Sequence, residues 1–361
     1  LLNGVQLFIW PRIIQLIKAV LGKVVSIAVL YLGANSVGFT AVLLAFEIIS
    51  CLLLMYKANQ AVSFQRNKMP KKQLLEIFSY TSYLFVLAIV GQIYWQIDKL
   101  VLGMMLGTIA VAIYSAALNI ENILRNVSSS IKDVLIPKAT QIDESSIFTT
   151  TLTTDFMVKS GRIIFMIYGL MLVGITVLGN KFIYLWLGED YVSAVPLLWI
   201  LGYSALVPTI LLPGEELCKT FNKHRTLTII YLCVSLLNIV LTVIMVKTMG
   251  IYGAAYSTAL GLVVGNVILT LGYYKKVLNI KIARLFFEVF RRILINLMFV
   301  GIIAYLIDTY MLTSYSWLTL IAEILIISAI FLISMHLWGF DSYEKQIEAR
   351  IINSIINKMR K

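Results

Sequence analysis

The chain has 361 residues, of which 60% are hydrophobic and 13% charged, with a formal net charge of +12 and a mean hydropathy of +0.90. That composition is too apolar for a soluble core-and-surface arrangement and places the chain among integral membrane proteins. The excess of Lys and Arg does not point to nucleic acid. It sits in short loops beside apolar segments, where anionic lipid head groups are the neighbours.

A hydrocarbon core about 30 Å thick takes roughly 20 apolar residues at 1.5 Å rise per residue. Runs of that kind predict helices over 12–33, 37–57, 76–104, 107–131, 157–180, 191–217, 225–248, 250–274, 285–308 and 315–338. The expected fold class is therefore an all-α integral membrane protein with about ten transmembrane helices.

The first of these carries Lys18 and Lys23, with Gln15 one turn before Lys18. A charge at a helix centre costs roughly 2.5–3.5 kcal/mol on the insertion scale, so each is a functional candidate. Lys23 lies too deep to snorkel easily, whereas Lys18 has head groups within reach. Glu47 in the second helix raises the same question. Lys57, Arg66, Lys68, Lys71 and Lys72 make the next loop basic. The third helix holds Gln92, Trp95, Asp98 and Lys99, with Tyr94 and Asp98 on one face and Gln92, Trp95 and Lys99 on another. Two readings stand: an interfacial Asp98–Lys99 pair anchored by Trp95, or a role in cation coupling or gating.

The fourth helix is the most polar. Asn122, Arg125 or Asn126, Ser129 and Asp133 recur at helical spacing, and Glu121 and Arg125 form an i,i+4 pair. A stripe of that length faces protein or water rather than lipid. Residues 139–156 read as a polar linker. Lys132, Lys138, Lys159 and Arg162 count as loop charges, as do Lys219, Lys223 and Arg225 further on. Pro196, Pro208 and Pro213-Gly214 interrupt the sixth helix, and Pro208, Pro213 and Gly214 are candidate hinge residues. Glu215 and Glu216 read as surface partners of Lys219 and Lys223. Glu323, alone in the tenth helix, is a candidate for facing the bundle, and His224 and His336 read as interfacial.

Basic residues crowd the even loops and the tail, the latter with Lys345, Arg350, Lys358, Arg360 and Lys361, while the odd loops hold little beyond Lys181 and Lys247. The positive-inside rule then makes the even loops and both ends of this chain cytoplasmic. Gly33–Gly38, Gly103–Gly107 and Met249–Gly253 are glycine-bearing turns that imply antiparallel hairpins. Tyr114-Ser115-Ala116-Ala117-Leu118 echoes Tyr256-Ser257-Thr258-Ala259-Leu260, either an internal repeat or coincidence between small-residue helix starts. Ile347, Ile351, Ile352, Ile355, Ile356 and Met359 share a face in the 341–361 tail, the pattern of an interfacial amphipathic helix. Opening at Leu1 with no initiator Met or signal peptide, the chain is expected to have further sequence upstream. Cys51, Cys218 and Cys233 fall inside helices and read as small packing residues. No metal-ligand spacing, P-loop or nucleophile motif is present, so the expectation is neither an enzyme nor a cofactor or metal protein, with any work driven by gradients.

Three stretches carry a family resemblance: Gly91-Gln92-Ile93-Tyr94-Trp95-Gln96-Ile97-Asp98-Lys99-Leu100-Val101-Leu102-Gly103 running on to Tyr114-Ser115-Ala116-Ala117; Trp186-Leu187-Gly188-Glu189 with Tyr191 and Ala194-Val195-Pro196-Leu197-Leu198; and Met249-Gly250-Ile251-Tyr252-Gly253-Ala254-Ala255. In order and spacing they resemble helices seven and eight, the outer Trp-Leu-Gly loop before helix ten, and the helix eleven–twelve turn of O-antigen-type polysaccharide flippases. The resemblance implies fourteen helices in two six-helix lobes around an alternately opening, cationic cavity. This chain would supply helices five to fourteen, with the N-terminal four missing. Residues 1–60 would close the N-terminal lobe, 61–75 be a basic linker, 76–280 the C-terminal lobe, 281–340 an accessory pair and 341–361 the amphipathic tail.

By the same resemblance, Lys18, Lys23 and Arg125, with Asn122 and Gln92, would line the substrate cavity and meet the pyrophosphate and acidic sugars of an undecaprenyl-linked oligosaccharide. Asp98 matches the family's acidic position, and Asp98, Lys99 and Glu121 are candidates for coupling or gating. The implied partners are the lipid-linked oligosaccharide, anionic lipids, and polysaccharide polymerase and glycosyltransferase machinery, in the bacterial cytoplasmic membrane. Other classes compete. A multidrug antiporter of the same superfamily would prefer an acidic cavity, a membrane polymerase or ligase would need a larger outer loop, and a scaffold would need no site.

Overall fold

A computed structural model describes residues 9–61, 70–139, 150–221, 223–346 and 348–349, with the side chains of 131–139 and most of 76–95 outside that description. Arg66, Lys68, linker residues 140–149 and the tail from 350 onward lie outside the described residues, as do the side chains of Gln92, Tyr94, Trp95 and Asp133. The elements are α1 (Ile9–Tyr31), α2 (Ser36–Ala61), α3 (Lys71–Met105), α4 (Thr108–Ala139), α5 (Thr150–Leu187), α6 (Ala194–Thr220), α7 (His224–Met249), α8 (Ile251–Gly261), α9 (Thr270–Val277), α10 (Ile282–Tyr310) and α11 (Trp317–Ser334). A π-helical stretch, Leu262–Leu269, joins α8 to α9, and another, Met335–Gly339, extends α11.

The all-α membrane fold read from the sequence is what forms. Each apolar run is helical, and among the described residues eight helices are long and apolar enough to cross a membrane. Boundaries shift where polar residues were taken for loop. Thr150–Phe156, assigned to a linker, open α5 instead: the Thr153 hydroxyl donates to the Leu278 carbonyl at 3.0 Å, and Thr154 accepts from the Lys281 amide at 3.2 Å. Short hydroxyls buried against another turn's backbone behave as packing groups, and composition alone reads them as linker.

The chain divides into two compact units, Leu1–Tyr80 and Thr81–Lys361. In the first, α1 and α2 pack as a hairpin turned at Gly33, whose φ of +92° suits glycine. Ile14, Gly22 and Ser26 recur at i,i+4 intervals and are buried, with Lys18 on the same stripe.

In the second unit, α5 is the hub, packing on α4, α6, α10 and α11, while α4 lies along α6 and α7 pairs with α8. One core cluster joins α5, α6, α9, α10 and α11 around Phe165, Tyr274 and Val289. Another joins α4, α5, α6, α7 and α8 around Tyr114, Tyr168 and Leu198. Apolar side chains such as Ile229, Val240, Ile295 and Leu325 stay exposed, as a lipid-facing surface requires. The two echoing segments differ in placement: Tyr114 is fully buried, whereas Tyr256 is 39% exposed.

Helix α6 stays continuous through Pro208 and Pro213. Pro196 sits in its first turn, where an N–H has no intrahelical partner to lose. Gly214 makes room for Tyr274: a Cβ there would stand 2.8 Å from the ring's Cζ. Gly214→Ala is therefore expected to cost about 1–3 kcal/mol by overpacking, visible as a lowered Tm in detergent, and an unchanged Tm would refute it.

Candidate functional site

Two polar centres stand out in the second unit. The first surrounds Asp98, 2% exposed near the end of α3. Its carboxylate accepts hydrogen bonds from Tyr114 of α4 at 2.8 Å, Thr242 of α7 at 2.9 Å and Thr258 of α8 at 2.5 Å. Behind Thr242 stand Ser257, 2.7 Å from it, and Asn238, whose Oδ1 is 3.5 Å from the Thr242 hydroxyl and whose buried Nδ2 has no partner among the described residues. Four helices thus converge on one acid. Local sequence explains the donors: Asn238 and Thr242 are spaced i,i+4 on the buried face of α7, and small residues after Gly253 let α8 approach closely.

Lys99 is not among these partners, so of the two readings the Asp98–Lys99 pair gives way to a cage of neutral hydroxyls. The physical reason is geometric: adjacent residues on a helix diverge by about 100°. An ionised carboxylate at such depth keeps a net charge that neutral donors only partly compensate. The cage can therefore hold a proton or a cation, with oxygens already gathered.

The second centre lies on α4. Glu121, 1% exposed, pairs with Arg125 at 3.6 Å, and Arg125 also donates to Asn122 Oδ1. Among the described residues neither Glu121 carboxylate oxygen has a hydrogen-bond partner. Arg125 is a fifth exposed, so its guanidinium sits at the edge of the packed region. Along the polar stripe Asn122, Arg125 and Ser129 are half-buried. Glu121 and Ser128 turn into the core while Asn126 is exposed, and Ser128, Ser129 and Ser130 spend their hydroxyls on their own helix backbone.

The remaining predicted residues scatter. In the first unit Lys18 pairs with Glu47 at 2.7 Å across the α1–α2 seam, while Lys23, off that seam, is exposed. Gln92 lies on α3, its side chain outside the described residues. Glu215 and Glu216 pair with Lys219 at 2.8 and 3.1 Å, as their spacing suggests; Lys223 takes no part in those two pairs. His336 contacts Glu348 at 2.9 Å.

Two cations counted as loop charges prove to be buried helix residues. Arg162, 4% exposed, is held bidentately by Glu344 with both contacts at 2.7 Å and donates to the Glu288 and Gly339 carbonyls. Lys181, 3% exposed, donates to Asp308, Glu323 and the Leu312 carbonyl, each at 2.7 Å. Glu323 is fully buried, as its isolation in an apolar helix suggested. Lys181 was legible only through that partner: a lone acid deep in a helix calls for a buried base.

The fold and these buried polar centres define a multi-pass helical membrane protein with ionisable groups packed between its helices. The structure is similar to that of the lipid II flippase MurJ in its inward closed conformation, with a TM-score of 0.73, 17% identity, and coverage of 93% of this chain and 68% of that one. The profile of the polysaccharide biosynthesis protein family matches residues 8–196, and the chain belongs to that family. The resemblance carried by the three motifs holds at that level. Relatives include the uncharacterized membrane protein EpsK of Bacillus subtilis, 24% identical over 243 residues (66% of this chain, 48% of EpsK). The probable low-salt glycan biosynthesis flippase Agl15 of Haloferax volcanii is 23% identical over 228 residues, 61% of this chain and 46% of its own length. The chain spans about half the length of these curated relatives.

Proposed function

We propose that the chain is part of a flippase that moves undecaprenyl-pyrophosphate-linked oligosaccharides across the bacterial cytoplasmic membrane by alternating access, as a transporter rather than an enzyme. The family match carries this reading, and the name of Agl15 agrees with it. Both ends of the chain are cytoplasmic in this reading, on the strength of its loop charges. The lipid tail stays in the bilayer while the head group crosses, and polymerase and glycosyltransferase machinery supply and consume the substrate.

In this mechanism Arg125 exchanges Glu121 for phosphate oxygens, with its neighbour Asn122, and Lys23 and Gln92 are further candidates for contact with the pyrophosphate and acidic sugars. Lys18 must likewise release Glu47 to contribute. Pro208, Pro213 and Gly214 supply the hinge in α6. The Asp98 cage takes up and releases the coupling cation or proton, and Lys99 and Glu121 respond to that change of charge.

The direct test is deletion of the gene, with quantification of undecaprenyl-linked repeat units on each membrane face. Accumulation on the cytoplasmic face, rescued by wild type but not by Arg125→Ala or Lys23→Ala, is the expected result. Normal lipid-linked levels together with altered drug sensitivity would instead favour the antiporter. Asp98→Asn, which keeps the shape but not the charge, is expected to lower export about 5- to 150-fold, the range of ordinary coupling energies. Export equal to wild type would remove Asp98 from the mechanism.

A further inference from the structure

Helices α5 and α10 run parallel, and their contacts keep an almost constant sequence offset of 126 to 129 residues. Asp155 pairs with Arg284 at 2.7 Å, and Arg162 donates to the Glu288 carbonyl at 2.8 Å. Further along, Gly169 is in contact range of Leu297, and a Cβ on Gly301 would stand 3.6 Å from Val173. Lys181 closes the series on Asp308 at 2.7 Å. From Asp155 to Lys181 the seam covers about 39 Å of helix, enough to cross the hydrocarbon core.

Helix α11 is tied to the same pair at both of its ends. Near its start Glu323 bonds Lys181, in its last turn Ser334 donates to Asn296 of α10 at 2.8 Å, and just beyond, Gly339 accepts from Arg162. The segment after α11 locks the Arg162 end further. Asp341 and Glu344 form a reciprocal capping box, the Glu344 amide donating to Asp341 and the Asp341 amide to Glu344, both at 2.9 Å. The Glu344 carboxylate that closes this box is the one Arg162 holds.

Sliding α10 by one helical turn, 5.4 Å, would break every rung, stripping Lys181 of Asp308 and Arg162 of the Glu288 carbonyl. Between the charged ends Gly169 packs directly on Leu297, so the seam is close-packed as well as charged. We propose that α5, α10 and α11 form one rigid body, clamped at its two ends by the Arg162 and Lys181 networks. Only its consequence for transport rests on the function proposed above: alternating access then moves other interfaces, and the accessory pair travels with α5.

Spin-label distances test the clamp without any transport assay. With Cys51, Cys218 and Cys233 replaced, labels go at the exposed pair Asn180 and Tyr305 and at the exposed pair Leu152 and Phe287, in lipid nanodiscs. Each pair is expected to give one narrow distance, unchanged by undecaprenyl pyrophosphate. Lys181→Met is expected to broaden the first pair and Arg162→Met the second. Should Lys181→Met fail to fold, Asp308→Asn loosens the same end more gently. Two populations in the parent, a ligand-dependent shift, or folded variants with unbroadened distances would each overturn the proposal. A Val173→Cys, Gly301→Cys disulfide gives the transport readout: export within about twofold of the reduced protein is expected, and export that stops on oxidation and returns with reductant overturns the rigid body. If the reduced protein and its parent export nothing, the flippase reading fails while the label distances still judge the clamp.

Discussion

Replacing Lys181 with methionine is expected to destabilise the bundle by about 3–5 kcal/mol, the usual result of removing one partner from a buried ionic pair. The ammonium saturates its three hydrogens on Asp308, Glu323 and the Leu312 carbonyl. Its loss strands Glu323, which is fully buried and has a second carboxylate oxygen, Oε2, already without a hydrogen-bond partner among the described residues. Asp308 is better placed, at about a quarter exposed, and can turn to water. The damage is therefore concentrated on Glu323, which makes the prediction specific. Lys181→Met with Glu323→Leu is expected to recover most of the loss, because an apolar pair of similar volume removes the stranded charge. Unfolding free energies in mixed micelles check both. A double variant no more stable than Lys181→Met would mean that the lysine acts through shape rather than charge.

Gly253→Ala is expected to have a comparable effect by a different route. Gly250, with φ +59° and ψ −140°, turns the chain from α7 into α8, and its amide still bonds the Val246 carbonyl. Three residues later a Cβ on Gly253 would collide with the Met245 carbonyl and lie 2.7 Å from the Val246 amide nitrogen. These are backbone atoms inside a helix, so no rotamer change relieves the overlap. Overpacking that side chains can absorb costs about 1–3 kcal/mol, and a backbone collision belongs at or above the top of that range. Because α8 carries Thr258 and α7 carries Thr242, opening this hairpin also pulls two of the three donors from Asp98. Loss of folded yield with Gly253→Ala, and retention with Gly272→Ala, where a Cβ meets nothing within 4 Å, is the expected contrast. Equal yields would refute it.

The helices were legible because their apolar runs are as long as a membrane is thick, a constraint that acts on each segment alone. Polar positions on α4, the isolation of Glu323 and the i,i+4 pairing of Glu215 with Lys219 were legible for the same local reason. Depth and partnership were not. Arg162 and Lys181 flank an apolar stretch and were counted with the loops, because a charge near a helix end has the same sequence context whether it meets head groups or a carboxylate. Their partners lie 126 to 182 positions further along. Lys18 is similar on a smaller scale: its Glu47 partner, 29 residues away, follows from a hairpin seam and not from either helix's composition. At Asp98 the nearest charge in sequence, Lys99, misled, because the donors that matter are neutral and come from three other helices.

The parallel pairing of α5 with α10 also dictates an order of events during synthesis. Three helical rods, α6, α7 and the continuous α8–α9, separate them, so Lys181 leaves the ribosome about 127 residues before Asp308. At roughly 5–20 residues per second that wait lasts about 6–25 s. For that interval α5 sits in the membrane with a lysine and an arginine whose final acceptors do not yet exist. Its apolar length must hold it there unaided, and α11 arrives last to seal both ends, so a chain truncated before Trp317 leaves its central helix permanently half-paired.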